Sequence, residues 1–369
     1  MSAAPASKSS LTVGILTSGG DSPGLNAAIR GVAKAAYNRG DVRIYGIANG
    51  FRGLIEGNAR LMQPADFDGI LTLGGTILGT SREKPYEIDP SIRDTEAGRR
   101  KPAAVRATYE HLGLDCLVVL GGNGTMRTAH QLERNGMNVI GLPKTIDNDI
   151  FGTDITFGFQ SAVEVATEAI DRLHSTAHSH NRIMVIETMG HRAGWLALYA
   201  GVAGGGDVIL IPEIPYDIGR VVSHLRDRVA LGKPFSIVVV AEGALSTSEV
   251  KLKEEERESQ WQKAGAASVG YRVARAIEET SGMETRVTVL GYLQRGGTPC
   301  SQDRVLATRL GTTAAEMIFD GRFGRMVAVE GSCVVERPLA EVAGKLKLVP
   351  AGDPTVQTAR EIGTCLGDR

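Results

Sequence analysis

Net charge is almost absent: 41 Lys+Arg stand against 42 Asp+Glu, leaving −1. No basic excess exists for nucleic acid or for anionic lipid, although a local basic pocket is still allowed. Cysteine is scarce as well. Cys116, Cys300, Cys333 and Cys365 are scattered without CxxC spacing, which argues against a disulfide framework or a zinc site. No apolar run approaches the roughly 18 residues of a membrane span. The polar start, MSAAPASKSS, has no apolar core of signal-peptide length. A cytoplasmic enzyme or binding protein with a flexible N-terminus over residues 1–10 is expected. Charged residues make up 22% and hydrophobic residues 42%, so a substantial core can form and disorder over most of the chain is excluded. Glycine, by contrast, is abundant: 46 of 369 residues, well above the usual ~7%. It lacks a Gly-X-Y period and clusters after apolar runs.

Those runs set the organisation. Leu11–Leu16, Val42–Ile47, Cys116–Leu120, Val139–Leu142, Ile183–Ile186, Val208–Ile211, Ser236–Val240 and Arg286–Leu290 read as strands, separated by helix-length segments. Continuous Val/Ile/Leu strands of this kind belong in parallel sheets covered on both faces. A helix is expected over residues 23–38, capped by Asp21 or Ser22 with Pro23 in its first turn. There are too many strands for one six-stranded sheet. The expected fold is α/β, with two doubly wound, mostly parallel sheets and helices on both faces. At roughly 100–200 residues per domain, the length also suggests two domains. The charge run Lys251–Gln260 reads as a solvated helix face or an insertion.

In such sheets ligands bind beyond the carboxyl ends of the strands, where the unusual residues of this sequence lie. Gly19-Gly20-Asp21 follows a strand and opens a helix. Glycines there let backbone N–H groups approach a phosphate; the same residues also make a tight turn with a capping Asp. Neither this loop nor Gly121-Gly122-Asn123-Gly124-Thr125 matches GxGxxG or GxxxxGK[ST], so the usual dinucleotide and Walker fingerprints are missing. A third cluster, LGGTILGTSR, brings Arg82 close to glycines. Pro143-Lys-Thr-Ile-Asp-Asn-Asp149 places Lys144, Thr145, Asp147 and Asp149 just beyond a strand end. A carboxylate there can take a proton from a hydroxyl attacking a γ-phosphate, or the segment can be an Asx-turn loop.

Taken together, LTSGGDSPGLNAAIRG, GGTILGTSR, GGNGT, GLPKTIDNDI, FGFQSAVEVATEAIDRL, SHNRIMVIETMG and ETRVTVLGYLQRGG occur in this order. The sequence resembles the phosphofructokinase family from about Leu11 to Val327. The resemblance implies transfer of a terminal phosphoryl to the 1-hydroxyl of fructose 6-phosphate, with ATP as donor and Mg²⁺ as cofactor. Asp147 matches the proton acceptor. Thr145 and Asp147 would hold the reacting end of the sugar, Lys144 would lie beside the transferring phosphoryl, and Asp149 would help organise metal and phosphates. Gly20, Arg82 and Gly121, Gly122, Asn123, Gly124 and Thr125 match the donor loops. Arg182, Met189, Gly190, His191, Glu242, Arg286, Tyr292 and Arg295 match the sugar-phosphate site. The implied domains are residues 11–158 with 294–342 for the donor, and 159–293 with 343–369 for the sugar phosphate. In the family Arg182 and Arg286 come from a neighbouring subunit, which implies a dimer or tetramer.

Three positions depart from the pattern. Asn123 replaces a magnesium-associated Asp. Its neutral oxygen suits Mg²⁺ less than carboxylates, water and phosphates do. Met189-Gly190-His191-Arg192 replaces Met-Gly-Arg, and a one-residue shift on a helix turns a side chain by about 100°. Of the basic effector pocket of bacterial members, Arg30 and Lys233 match a part and Lys34 replaces an arginine, so regulation by phosphoenolpyruvate or ADP is not carried over. Gly124 leaves room for a nucleotide α-phosphate where pyrophosphate users carry Asp, which favours ATP. Lys144 occurs in pyrophosphate users and permits either donor. The alternatives are a pyrophosphate-dependent enzyme, an NAD or lipid kinase sharing the GGxGT loop, and a catalytically weak sugar-phosphate sensor.

Overall fold

The computed structural model describes residues 10–86, 95–263, 265 and 268–369. The expected flexible start, residues 1–10, lies outside them apart from Ser10. Among the described residues eleven strands form two sheets. They are β1 (Leu11–Thr17), β2 (Val42–Ile47), β3 (Ala59–Met62), β4 (Cys116–Gly121), β5 (Val139–Pro143), β6 (Ile183–Thr188), β7 (Val208–Leu210), β8 (Ser236–Ala241), β9 (Thr285–Val289), β10 (Arg325–Glu330) and β11 (Cys333–Pro338). One sheet has seven strands in the order β11-β10-β5-β4-β1-β2-β3, and the other has four in the order β7-β8-β6-β9.

The chain divides into two compact units. The first is residues 1–145, 150–158 and 295–346; the second is 146–149, 159–294 and 347–369. The first unit holds the larger sheet. Its centre is parallel, with Val13 opposite Cys116 and Leu117 opposite Val139. β4 and β5 are buried along their whole length, as strands covered on both faces require. Helix Leu25–Arg39 packs on one face against helix Ser301–Phe319. Their backbones meet at two glycines: a Cβ on Gly31 would lie 2.9 Å from the Thr308 carbonyl oxygen, and one on Gly311 would lie 2.5 Å from that of Ala28. Any larger residue at either position forces the helices apart.

The second unit holds the four-stranded sheet, entirely parallel, with Ile183 opposite both Ser236 and Thr285. Helices Ile218–Ala230 and Val269–Ser281 cover one face through Val221, Val222, Leu225, Val273 and Ile277. Among the described residues no helix is long and apolar enough to cross a membrane.

The structure differs from the sequence expectation at identifiable points. The expected α/β class with mostly parallel sheets holds, and what the larger sheet adds is antiparallel pairing of β3 and β11 at its two edges. The expected cap by Asp21 or Ser22 is not made. Gly24, at φ 93°, occupies the N-cap of the first helix without a side-chain bond, and Ser22 Oγ donates instead to the Pro23 carbonyl. Residues Ile146–Asp149, expected with the donor domain, group with the second unit, where the Asp149 carbonyl accepts from Lys347 N at 2.9 Å. The charge run does lie on a solvated helix, Glu254–Lys263, held by half-buried Trp261, whose Nε1 donates to Glu249 at 2.7 Å and whose indole ring centre is 4.0 Å from Arg272.

Candidate active site

In the first unit, the loop after β1 and the loop after β5 are tied by one lysine. Lys144 is buried, and its Nζ donates to the carbonyls of Ser18, at 3.1 Å, and Gly20. A lysine buried this deeply needs acceptors for its charge, and here two loop carbonyls supply them. Lys144 therefore braces the Gly19-Gly20 turn. Arg295 reaches the same turn. It donates from Nη1 to the Asp21 carbonyl at 3.0 Å, and a Cβ on Gly20 would lie only 2.7 Å from that nitrogen. A side chain at Gly20 would therefore displace the end of the Arg295 side chain. Arg295 lies in the first unit, as the implied donor segment 294–342 has it, while the resemblance gives it a sugar-phosphate role. Arg82 is exposed on the loop that crosses this turn, where Gly19 N donates to the Ser81 carbonyl at 2.9 Å.

The GGNGT segment is the end of β4 and the start of helix Asn123–Arg134, with Gly122 as N-cap. Its glycines are not equivalent. A Cβ on Gly121 would lie 2.1 Å from Thr125 Oγ1, so that position is closed by packing. Gly124 has no such constraint. Its nearest neighbours to a built Cβ are Lys84 Cε at 3.8 Å and Nζ at 3.9 Å. Packing therefore does not demand glycine there, and the space above it is open. Asn123 is committed: Nδ2 donates to the Lys345 carbonyl at 2.9 Å, and Oδ1 accepts from Gly344 N at 3.2 Å. With both ends of its amide bonded to backbone, Asn123 acts as a loop clamp.

Thr145 closes the first unit's share. It is buried, and its carbonyl accepts from Thr156 Oγ1 at 2.8 Å. Asp147 and Asn148 follow in the second unit, both buried, with Asn148 at φ 52°. Asn tolerates this left-handed conformation better than most residues, and the turn it makes separates the two aspartates, Asp147 and Asp149.

At the carboxyl end of the second sheet, Glu187, Thr188, Met189, Glu242, Val289, Gly291 and Tyr292 line a cavity of about 210 Å³. Gly190 turns the chain at its mouth. It has φ 144°, and a Cβ there would lie 2.5 Å from the Ala193 carbonyl. The turn brings His191 N to Glu242 Oε1 at 2.8 Å. Burial pushes the Glu242 carboxyl above its ordinary value, the His191 bond pulls it back, and the nearby Asp147 adds to the rise. The exposed Arg192 is drawn to Glu254 at 3.6 Å. Tyr292 is 76% exposed.

The remaining two candidates lie elsewhere on the same sheet. Arg182 immediately precedes β6, and Arg286 is the second residue of β9. They flank Glu284: Arg182 Nε is 3.0 Å from its carboxylate, and Arg286 pairs with the other oxygen. The Arg182 hydrogen bond holds the Glu284 carboxyl below its ordinary value. This is the amino end of parallel strands, whereas Met189 and Glu242 sit at the carboxyl end. At ~3.3 Å per residue the two ends are roughly 20 Å apart. One bound hexose phosphate cannot touch both.

Two residues of this region lie inside the quoted motifs SHNRIMVIETMG and ETRVTVLGYLQRGG, but the resemblance gives them no role. Gln294, fully buried, accepts from Met189 N at 3.4 Å and donates to the Gly291 carbonyl at 3.1 Å. Glu187 accepts from Gly270 N at 2.6 Å and from Ser268 Oγ. Both fix the walls of the cavity. Their signal in the sequence is a polar residue inside an otherwise apolar strand end or turn.

The family model described as Phosphofructokinase matches residues 12–318. An ATP-dependent 6-phosphofructokinase of Spirochaeta thermophila is 66% identical over 357 residues, 97% of this chain and 98% of that protein. A pyrophosphate–fructose 6-phosphate 1-phosphotransferase of Amycolatopsis methanolica is 45% identical over 341 residues, 92% of this chain and 96% of that protein. Among solved structures, the phosphofructokinase of Saccharomyces cerevisiae superposes with a TM-score of 0.77 at 30% identity, over 96% of this chain and 47% of the yeast chain. A loop brace at Lys144, a buried Asp147 and a carboxylate-lined cavity thus occur in a chain that belongs to the phosphofructokinase family.

Proposed function

We propose that the protein is an ATP-dependent 6-phosphofructokinase. It transfers the γ-phosphoryl of ATP to the 1-hydroxyl of D-fructose 6-phosphate, the glycolytic step that yields fructose 1,6-bisphosphate and ADP. The observation that carries this reading is 66% identity over almost the full length to a protein of that name. Two features of the chain support it. Gly124 leaves open space where an aspartate would repel a nucleotide phosphate, and the buried Asp147 offers a carboxylate for the hydroxyl proton. The Gly20 loop, Arg82 and the Gly121–Thr125 segment act on the donor. Thr145, Asp147 and Glu242 act on the sugar. Lys144 contributes positive charge and holds the donor loop in shape.

The sugar's 6-phosphate is held by Arg182 and Arg286. Because these lie at the far end of the sheet from Glu242, they serve the site of a neighbouring subunit, and the active form is at least a dimer. Mg²⁺ enters with the ATP phosphates. The chain's own donors do not fit a protein-built site: Asn123 is committed to backbone, and no group of three or more His, Cys, Asp or Glu converges among the described residues. Asp149 is the carboxylate assigned to the hydrated ion. A cytoplasmic location belongs to the same proposal.

Steady-state rates with fructose 6-phosphate and ATP, GTP or pyrophosphate test the reading. ATP should give the highest kcat/KM. A wild-type enzyme that prefers pyrophosphate sinks the donor assignment, and absence of phosphoryl transfer to fructose 6-phosphate from any of the three sinks the whole.

The raised Glu242 carboxyl adds a pH expectation. Glu242 accepts sugar hydroxyls only as the anion, and its pKa lies above the usual carboxylate value. The KM for fructose 6-phosphate should therefore rise as pH falls through that raised pKa, earlier than an ordinary glutamate at about 4.3 would allow. Glu242→Gln should have a high KM that no longer follows pH on this limb. A KM–pH profile identical in variant and wild type would remove Glu242 from sugar binding.

A further inference from the structure

Lys84 has no part in the readings above, although it lies two residues after Arg82. Its neighbours hold it in place. Pro85 is buried, Tyr86 packs on the core cluster behind β4, and the adjacent Glu83 pairs with Lys101 at 2.7 Å. Lys84 itself is exposed and makes no ion pair among the described residues. It extends over the GGNGT segment, so that a Cβ on Gly124 would lie 3.8 Å from its Cε and 3.9 Å from its Nζ. An ammonium thus stands over a position of that segment left open by packing.

We propose that Lys84 is a specificity-determining residue for the phosphoryl donor: its ammonium contacts the phosphates of ATP lying over Gly124. This rests on the reading of Gly124 as part of the donor site. An ammonium beside a polyphosphate makes a charge-assisted contact of the stronger kind. Fructose 6-phosphate, bound through Thr145, Asp147, Glu242 and the arginine clamp, gains nothing from it. Position 124 and Lys84 act as a pair. A carboxylate introduced at 124 has room, since the nearest atoms are at ordinary contact distance and the backbone needs no left-handed conformation. It would meet the Lys84 ammonium and take it from the nucleotide.

The test uses the full-length protein. Lys84→Ala should raise the KM for ATP about tenfold, the scale of one lost charge-assisted bond, with KM for fructose 6-phosphate and kcat within about twofold. Lys84→Arg should restore most of the affinity. Calorimetric titration with ATP, which requires no turnover, should show the same loss. In a cycle with Gly124→Asp, the double variant should lose less ATP affinity than the sum of the single losses, because the lysine is already diverted to the new carboxylate. An unchanged KM for ATP in an otherwise active Lys84→Ala enzyme, equal rises in both KM values, or strict additivity with Gly124→Asp would each overturn the proposal. A wild type that does not use ATP at all would instead overturn the functional reading beneath it.

Discussion

Asp147→Asn should lower kcat by at least about 10²-fold, the lower end of what general-base catalysis contributes, while the KM values for both substrates change little. The substitution keeps the shape of a side chain that is 9% exposed and removes only its capacity to take a proton. The sugar hydroxyl must lose that proton as it attacks phosphorus, and an amide cannot accept it. A second readout separates this role from misfolding. Asp147 is among the charges that hold the Glu242 carboxyl up. Neutralising it should let the Glu242 pKa fall, so the acid limb of fructose 6-phosphate binding, followed by calorimetry, moves to lower pH. A variant with near wild-type kcat would show that another group is the base. Intact kcat with the acid limb displaced would show that Asp147 acts only on its neighbour's charge.

The extent to which the sequence specified this arrangement differs between strands and contacts. β1, β4, β5, β6 and β8 are legible as continuous apolar runs, because a strand covered on both faces has no polar side to interrupt the pattern. β3 and β11 are edge strands, with exposed Arg60 and Leu61 in one and mostly half-buried residues in the other. Half-burial dilutes the apolar signal, and the mixed character of the larger sheet went with it. At the site, residue types at strand ends announced their chemistry, but their partners did not. Asn123 looks like a substituted metal ligand until Gly344 and Lys345 are found against it, more than two hundred residues away in the chain. Arg295 carries a phosphate role in the resemblance, and its further bond to the Asp21 carbonyl shows only in the structure. Glu284 opens the motif ETRVTVLGYLQRGG, but nothing in that string shows that two arginines close on it. Such contacts arise from tertiary packing, and local spacing carries no trace of them.

The separation of Arg182 and Arg286 from Glu242 leads to the largest recovery of activity expected of any experiment on this chain. Arg182→Ala removes one of two guanidinium groups from the proposed 6-phosphate clamp and should reduce kcat/KM for fructose 6-phosphate by about 10–10²-fold, the worth of one or two charged hydrogen bonds. Asp147→Asn is nearly inactive for a different reason. If each site takes its Asp147 from one subunit and its Arg182 from the partner, a hybrid dimer of the two variants holds one site with both defects and one with neither. Co-expression in equal amounts makes half the dimers hybrid, so the mixture should reach roughly a quarter of wild-type kcat/KM under two-fold symmetry. Neither parent alone approaches that value. The recovered activity should also carry the wild-type KM for fructose 6-phosphate, since the intact site lacks nothing. A co-expressed mixture no more active than the mean of its parents would place Arg182 and Asp147 in service of the same chain. The roughly 20 Å between the ends of β6 would then have to be explained without a partner, with Arg182 assigned to holding Glu284 rather than to the sugar phosphate.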